Sequence, residues 1–424
     1  MSTRSLCSVA LLLLGTPFLA RAGLLAPVAP YGIDARDAAT AGALGAFNPG
    51  FSAAISNPAS LGQPGPSELT LGYLYSRPSL SLGDEAVAAS PGNVAVFGLK
   101  LDLSGLTEAK IPASFALAMA LDDNFGTLLA LSDSPSPQGS FLREGRSQLL
   151  LVLASGVQLT PWLRVGAGAE VAVTASAALQ FRTTLDGQTS DQQMNMHGGS
   201  ALAPEVGLTL GPWDVGPLQK FSLGAAFHSA AYYALAVEAT AEATVGSSPL
   251  TTLPLNLKFI DAYRPNQVSL AARASFGNID VGLDLAYGQW SALGKLLAAE
   301  DIVRSSSELS FSDIIIPRLG VDAHLGAGFE ARAGYAFKLS PLRDPTPSAL
   351  NPIDNSRHVF AVGAGYTLPA HTFILKEALS VDAAYQLELL AGREFTIIDE
   401  TGSARPATAG GLVHALHATA TVRF

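Results

Sequence analysis

This 424-residue sequence predicts an all-β fold, a transmembrane antiparallel β-barrel of about fourteen strands. Three observations carry the prediction. From Gln267, the residues Val268, Leu270, Ala272, Ala274 and Phe276 are apolar and alternate with the polar Gln267, Ser269, Arg273 and Ser275, so one face is greasy and the other wet. Gly277-Asn278 then reverses the chain, since Gly at the first central position suits a II′ hairpin turn. A second strand follows, with Ile279, Val281, Leu283, Leu285 and Tyr287 on one side and Asp280, Gly282 and Asp284 on the other. Two inward carboxylates on one strand are costly in a dry sandwich core but suit a wall with lipid outside and polar groups inside. The second observation is composition: charged residues make up 14% and the mean hydropathy is +0.31, against about 25% charged in soluble domains. No run of about 18 uncharged apolar residues is present to form a membrane helix, whereas a spanning strand needs only about 10 alternating residues. Third, Leu412, Leu416, Ala418, Ala420, Val422 and Phe424 share a face and the chain stops on an aromatic, as bacterial outer-membrane barrels commonly do.

Residues 1–22 have the pattern of a secretory signal, with Arg4, an apolar Val9 to Leu14 and a small-x-small site at Ala20-Arg21-Ala22. Cleavage there would start the mature chain at Gly23 and remove Cys7, the only cysteine. It would also take the formal charge from −10 to −12 by removing Arg4 and Arg21, which argues against a nucleic-acid partner. Gly23 to Pro66 does not alternate. It has turn signals at Asn48-Pro49-Gly50 and Asn57-Pro58 and a short helix expected around Ala35 to Leu44. A flexible leader and a folded segment both fit it.

Strand signals then recur. Leu69, Leu71, Tyr73 and Tyr75 alternate with polar or small neighbours, a second strand runs from about Asn93 to Leu103, and a third from Ile111 to about Leu131. The third is interrupted by Asp122, Asp123, Asn124, Phe125 and Gly126, which disfavour smooth pairing. The next strands are read at Gln148 to Thr160, from Leu163 onward, Ala201 to Leu210, Lys220 to Val245 and Leu253 to Phe276; the last two are Leu379 to Glu394 and Leu412 to Phe424. With the Asp122 to Gly126 cluster taken as a break within one strand, the count is an even fourteen. Short links then follow even strands, as at Thr160-Pro161, Gly277-Asn278 and Gly326-Ala327, and long polar ones follow odd strands, as at 132–145, 185–199, 291–313 and 340–355. The link near Gly246 to Pro249 is the exception, short where a long one is expected.

No catalytic signature appears. Gly166-Ala167-Gly168 and Gly363-Ala364-Gly365 lack the third glycine of a dinucleotide fingerprint and lie within strands, where glycine makes room inside the barrel. The three-residue spacing of His414 and His417 puts them on opposite faces, a poor metal pair, and Met194, Met196 and His197 read as a loop packing its own side chains. No metal or cofactor is expected. The inward register holds Arg164, Glu170, Arg273, Asp280, Asp284, Asp322, Glu330, Arg332, Asp382 and Glu388. Most are expected to pair with one another, since buried charges must be compensated. Arg164, Arg273 and Arg332 are the candidates to meet a ligand carboxylate.

Several stretches, in order, resemble the FadL/OmpP1/TodX family of outer-membrane hydrophobic-compound transporters. They are Ala41-Gly42-Ala43 and Asn57-Pro58-Ala59, then Pro265-Asn266-Gln267-Val268 with Asp284 to Ser291, then Pro317-Arg318-Leu319-Gly320, Arg332-Ala333-Gly334-Tyr335 and Asp354-Asn355-Ser356-Arg357. Ala272 stands where that family usually has Gly. The resemblance implies a hatch at 23–66 plugging a barrel at 67–424, with Asn57, Pro58 and Ala59 as the hatch motif. It implies a monomer in the outer membrane, among its lipids and lipopolysaccharide, assembled through the last strand ending at Phe424. Passive uptake of hydrophobic molecules follows, with long-chain fatty acids first and aromatic hydrocarbons as the alternative; a water-filled porin is a further reading. An external groove is expected at the apolar stripe of Ala292 to Val303, with Leu293, Leu296, Leu297 and Ile302. Lateral exit would use the Asp122 to Gly126 break.

Overall fold

The computed structural model describes residues 32–87, 91–106, 111–122, 140–141, 149–184, 189–245, 248–299, 310–343, 352–369, 378–398 and 402–424. The expected signal sequence lies outside them. Sixteen long strands run in chain order: β1 (Glu68–Leu82), β2 (Gly92–Asp102), β3 (Ala113–Asp122), β4 (Leu149–Thr160), β5 (Leu163–Thr184), β6 (Thr189–Val215), β7 (Leu218–His228), β8 (Ala231–Val245), β9 (Ser248–Arg264), β10 (Gln267–Phe276), β11 (Ile279–Gly288), β12 (Ile314–Gly326), β13 (Phe329–Lys338), β14 (Arg357–Leu368), β15 (Leu379–Ile398) and β16 (Ala404–Arg423). Fourteen of these close an antiparallel ring. β1 pairs with β16 from Glu68↔Arg423 to Leu82↔Ala409, and β7 pairs directly with β10 from Gln267↔His228. Closure satisfies every wall strand on both sides, the condition for spanning lipid with sheet.

The strands outside the ring, β8 and β9, resolve the exception in the alternation of loop lengths. They form a hairpin paired out to Val245↔Ser248, and the hairpin as a whole is the long connection between β7 and β10. Lys220 to Val245 and Leu253 to Phe276, each expected to be one strand, are therefore two strands apiece, broken at 229–230 and 265–266. β8 lies parallel to the outer part of β5, from Leu235↔Ala175 to Thr244↔Thr184. That edge is free because β4 stops pairing with β5 at Glu170. Residues 189–199, expected as loop, extend β6 beside it.

Alternation sorts as expected. Val268, Leu270, Leu283 and Leu285 are 42–59% exposed on the lipid face, while Ser269, Ser275, Asp280 and Asp284 are buried inside. Gly277 takes φ of 64° at the first position of the β10–β11 turn, a conformation that costs glycine little.

Residues 33–62 fill the lumen as a compact insert. Its first helix, α1 (Ala35–Ala39), is capped by Asp34, whose side chain accepts from Arg36 N, and it is shorter than the stretch to Leu44 that the sequence suggested. The chain turns away at Ala41 (φ 49°) and Gly42 (φ 79°). A 3-10 turn at Gly45–Phe47, a one-turn helix α2 (Ala53–Ser56) and a second 3-10 turn at Pro58–Gly62 follow. The Asn-Pro-Ala motif now has a physical reading. Asn57 Oδ1 accepts from Ala59 N at 3.1 Å, capping the turn, while Nδ2 donates to Leu208 O of β6 at 3.2 Å; Pro58 occupies the first turn, where its missing N–H is not needed.

Candidate functional site: the lumen and its path

The wall meets the insert through a collar of inward glycines, several of them direct cross-strand partners: Gly156↔Gly166↔Gly207 on β4, β5 and β6, and Gly282↔Gly320↔Gly334 on β11, β12 and β13. A Cβ on Gly166 would lie 2.2 Å from the Pro58 carbonyl carbon, one on Gly207 2.0 Å from Asn57 Oδ1, and one on Gly334 2.1 Å from the Thr40 carbonyl carbon. At Gly166 and Gly334 backbone thus packs on backbone, and at Gly207 on the Asn57 side chain, approaches that a Cβ would block.

Above the collar, towards the long connections, lies an apolar chamber built by Leu80, Tyr263, Ala286, Trp290, Phe311, Ile314, Ile316, Val359, Leu390 and Phe395. Helix α3 (Ser291–Ala299) roofs it, with Leu293 buried in the cluster and Leu296 packed against it. Asp313 holds the start of α3, accepting from Ser291 N at 2.9 Å and from the Tyr287 hydroxyl at 2.6 Å. These two bonds hold its carboxyl below the usual carboxylate range, the tyrosine's first. The side chain of Leu297, and Ile302 altogether, lie outside the described residues.

Between chamber and insert opens a cavity with an empty volume of about 1130 Å³. Three cations line it, and each has a partner. Arg264 Nη1 reaches Glu170 Oε2 at 2.9 Å and Glu205 Oε1 at 2.8 Å; Arg318 Nη1 donates to Asp284 Oδ1 at 2.6 Å; Lys338 Nζ stands 5.4 Å from the Trp290 ring centroid. Glu205 also meets His228, whose Nε2 lies 3.3 Å from Ser56 O of the insert. None of Arg164, Arg273 or Arg332 lines this cavity. All three sit lower. Arg332 is held by Asp322, Glu330 and Asp382, and Arg273 by Asp280. Arg164 donates to Gln63 Oε1 at 3.1 Å and has no acidic partner among the described residues.

Asp322, His324 and Glu330 bring possible metal-ligating atoms within 4.8 Å of one another, but Arg332 already bonds both carboxylates and Arg36 bonds Glu330 as well. His417 points inward and is buried while His414 faces out, bonded to Tyr385, so they do not form a pair. In the insert, Asp34 accepts from Thr419 Oγ1 at 3.0 Å and Asn48 Nδ2 at 3.3 Å. Burial, with Asp37 and Asp382 nearby, pushes its carboxyl up to about 7.

One sector of the lumen differs. The inner face of β3 carries the buried Ser114, Ala116, Ala118 and Ala120, and the three alanines cluster with the insert's Phe51, Ala53, Ala54 and Leu61. Asp122 is the last described residue of β3, paired with Val94; Asp123, Asn124, Phe125 and Gly126 lie outside the described residues.

The model of the outer membrane protein transport protein family (OMPP1/FadL/TodX) matches residues 33–424. The chain belongs to that family. Its members are outer-membrane transport proteins, not enzymes, and the family reading made from motifs holds. Alkane uptake protein A of Marinobacter nauticus is 29% identical, covering 93% of this chain and 90% of that protein. A Pseudomonas aeruginosa FadL homologue superposes with a TM-score of 0.63 at 14% identity, over 94% of this chain and 100% of that one. The Pseudomonas putida toluene transporter TodX gives 0.52 at 15% identity, over 94% and 99%. These two likenesses establish the fold.

The cavity residues Tyr263, Arg264, Arg318 and Lys338 were not singled out from sequence. Arg318 lies in the Pro317-Arg318-Leu319-Gly320 stretch, and the other three sit at or near strand ends, where alternation gives the weakest signal.

Proposed function

We propose that this protein admits neutral hydrocarbons, n-alkanes first among them, by passive descent through the outer membrane, ahead of the long-chain fatty acids that the motifs put first. The observation that carries this is the pairing of Arg264, Arg318 and Lys338: the cavity offers apolar and aromatic walls and no spare cation to a ligand carboxylate. The relative named for alkane uptake supports the same choice. The ligand lands at α3, enters the chamber and passes the insert, which acts as the plug. It leaves sideways by the thin inner face of β3, since releasing an alkyl chain into water would cost about 0.8 kcal/mol per CH₂. Fatty-acid uptake is the second reading, favoured by Arg164 as a buried cation without a described carboxylate.

The test is uptake of radiolabelled hexadecane, oleate and toluene by cells whose only such transporter is this protein. Hexadecane should enter, and Ala118→Trp should block it while the barrel still folds. Oleate uptake without hexadecane uptake would overturn the substrate assignment, and large open conductance in planar bilayers would favour a porin.

A further inference from the structure

Lys100 is a charge that the transport path does not use. It points inward from β2, is 1% exposed, and lies opposite Glu68 of β1 and Ala116 of β3. The Glu68 carboxylate is taken by Arg423, whose Nε donates to Oε1 at 3.1 Å. Among the described residues Lys100 makes no hydrogen bond and no ion pair. A buried, unpaired ammonium is costly to fold around, so its place in the wall calls for a partner that comes from outside.

The cavity that Lys100 lines shows which partner would fit. It lies at the end of the lumen carrying the start of β1 and the end of β16, below the insert and apart from the hydrocarbon cavity, with an empty volume of about 650 Å³. Its two other cations, Arg36 and Arg423, are engaged by Glu330 and Glu68. That leaves Lys100 as the cation with donors to spare, and with Glu68, Asp34 and Asp382 also on the walls a dianion would be repelled. A single ammonium among these acids suits a monoanion. Beside the insert's Asp34, Arg36 and Asn48, the lining has an apolar part made by Pro49 and Phe51 of the insert and by Pro64 and Pro66 just after it, which suits a short alkyl tail. We propose that the Lys100 cavity binds the carboxylate of a short amphiphile at the periplasmic end of the lumen. This ligand class is distinct from the hydrocarbon, and the site does not rest on the substrate assignment above.

The test uses the purified full chain in detergent, with equilibrium dialysis of radiolabelled hexanoate and with acetate, hexanol and inorganic phosphate as competitors. Hexanoate should bind once per chain and resist all three. Lys100→Met should weaken it about tenfold or more, while Lys100→Arg should keep most of the affinity. A second readout separates a binding role from a structural one. Without ligand, Lys100→Met should melt at or above the wild-type temperature, because a buried unpaired charge is removed, and hexanoate should raise the melting temperature of wild type only. Equal hexanoate binding by Lys100→Met, displacement by phosphate or hexanol, equal affinity for acetate, or a ligand-free Lys100→Met protein less stable than wild type would each overturn the proposal.

Discussion

The collar makes a sharp prediction at Gly334. A methyl there would stand 2.1 Å from Thr40 C, 2.4 Å from Thr40 O and 2.6 Å from Ala41 N. All three are backbone atoms of a segment whose next residue already holds φ of 49°, so no side chain can swing away. An ordinary contact is about 3.4 Å or more, so the insert must retreat by about 1.3 Å or the wall must bulge. Overpacking of this kind costs about 1–3 kcal/mol, which corresponds to a rise of about 5- to 150-fold in the unseated population of the insert. The wild-type barrel should be nearly silent in planar bilayers. Gly334→Ala should show openings and faster tryptic cleavage at Arg36, while heat-modifiable migration shows the barrel intact. Gly105→Ala is the control, because nothing lies within 4 Å of that added atom. A Gly334→Ala channel as silent and as protease-resistant as wild type would refute the view that the glycine collar sets how the plug seats.

Three further outcomes follow from the same geometry. Asn57→Ala removes both a turn cap and a tie to β6 and should cost about 1 kcal/mol or more, read as faster hydrogen exchange at Ala59. Arg264→Met removes the cation that the buried Glu170 and Glu205 share, while Glu205 keeps His228, so up to about 3–5 kcal/mol should be lost, seen as a lower melting temperature that reverts when both glutamates become glutamine. The raised carboxyl of Asp34, at about 7 and so well above the ordinary carboxylate range, means that the folded chain binds the proton more tightly than the unfolded one. Stability should therefore rise as pH falls from about 7 towards 4 and level off below; Asp34→Asn should flatten that part of the profile in thermal melts.

Much of the wall was legible because a two-residue period is local: Val268 to Phe276 and Ile279 to Tyr287 declare their faces without reference to any partner. Where a strand leaves the ring was not legible. β8 continues the alternation of β7 across Ser229 and Ala230, and only closure of the cylinder, pairing β7 with β10, shows that β8 and β9 stand outside. The same limit applies to charges. Register places Arg332 and Lys100 inside alike, but Arg332 is held by three carboxylates while Lys100 has no ion pair among the described residues, a difference made by strands far apart in sequence. The collar was half visible, since Gly166 and Gly363 read as space-makers, but what fills the space came from the insert.

The insert's bonds to the wall are unevenly placed, and that bears on how a plug can both seal and yield. On one side Arg36 meets Glu330 of β13, Gln386 of β15 donates to Ala38 O, and Thr419 of β16 donates to Asp34. Asn57, Ser56 and Gln63 add bonds to β6, β7 and β5. Among the described residues no side-chain hydrogen bond joins the insert to β1, β2, β3 or β4; contact there is Phe51 on Gly98, the backbone of Pro58 and Gly62 on Gly156, and Leu61, Ala53 and Ala54 among apolar side chains. Hydrogen bonds are directional and lose most of their strength over a fraction of an ångström, while dispersion contacts between smooth apolar faces change little when the faces slide. A displacement away from β13–β16 therefore breaks charge-assisted bonds in a low-dielectric interior, whereas one that opens the β3 face gives up only apolar contact there, which an alkyl chain entering the gap restores.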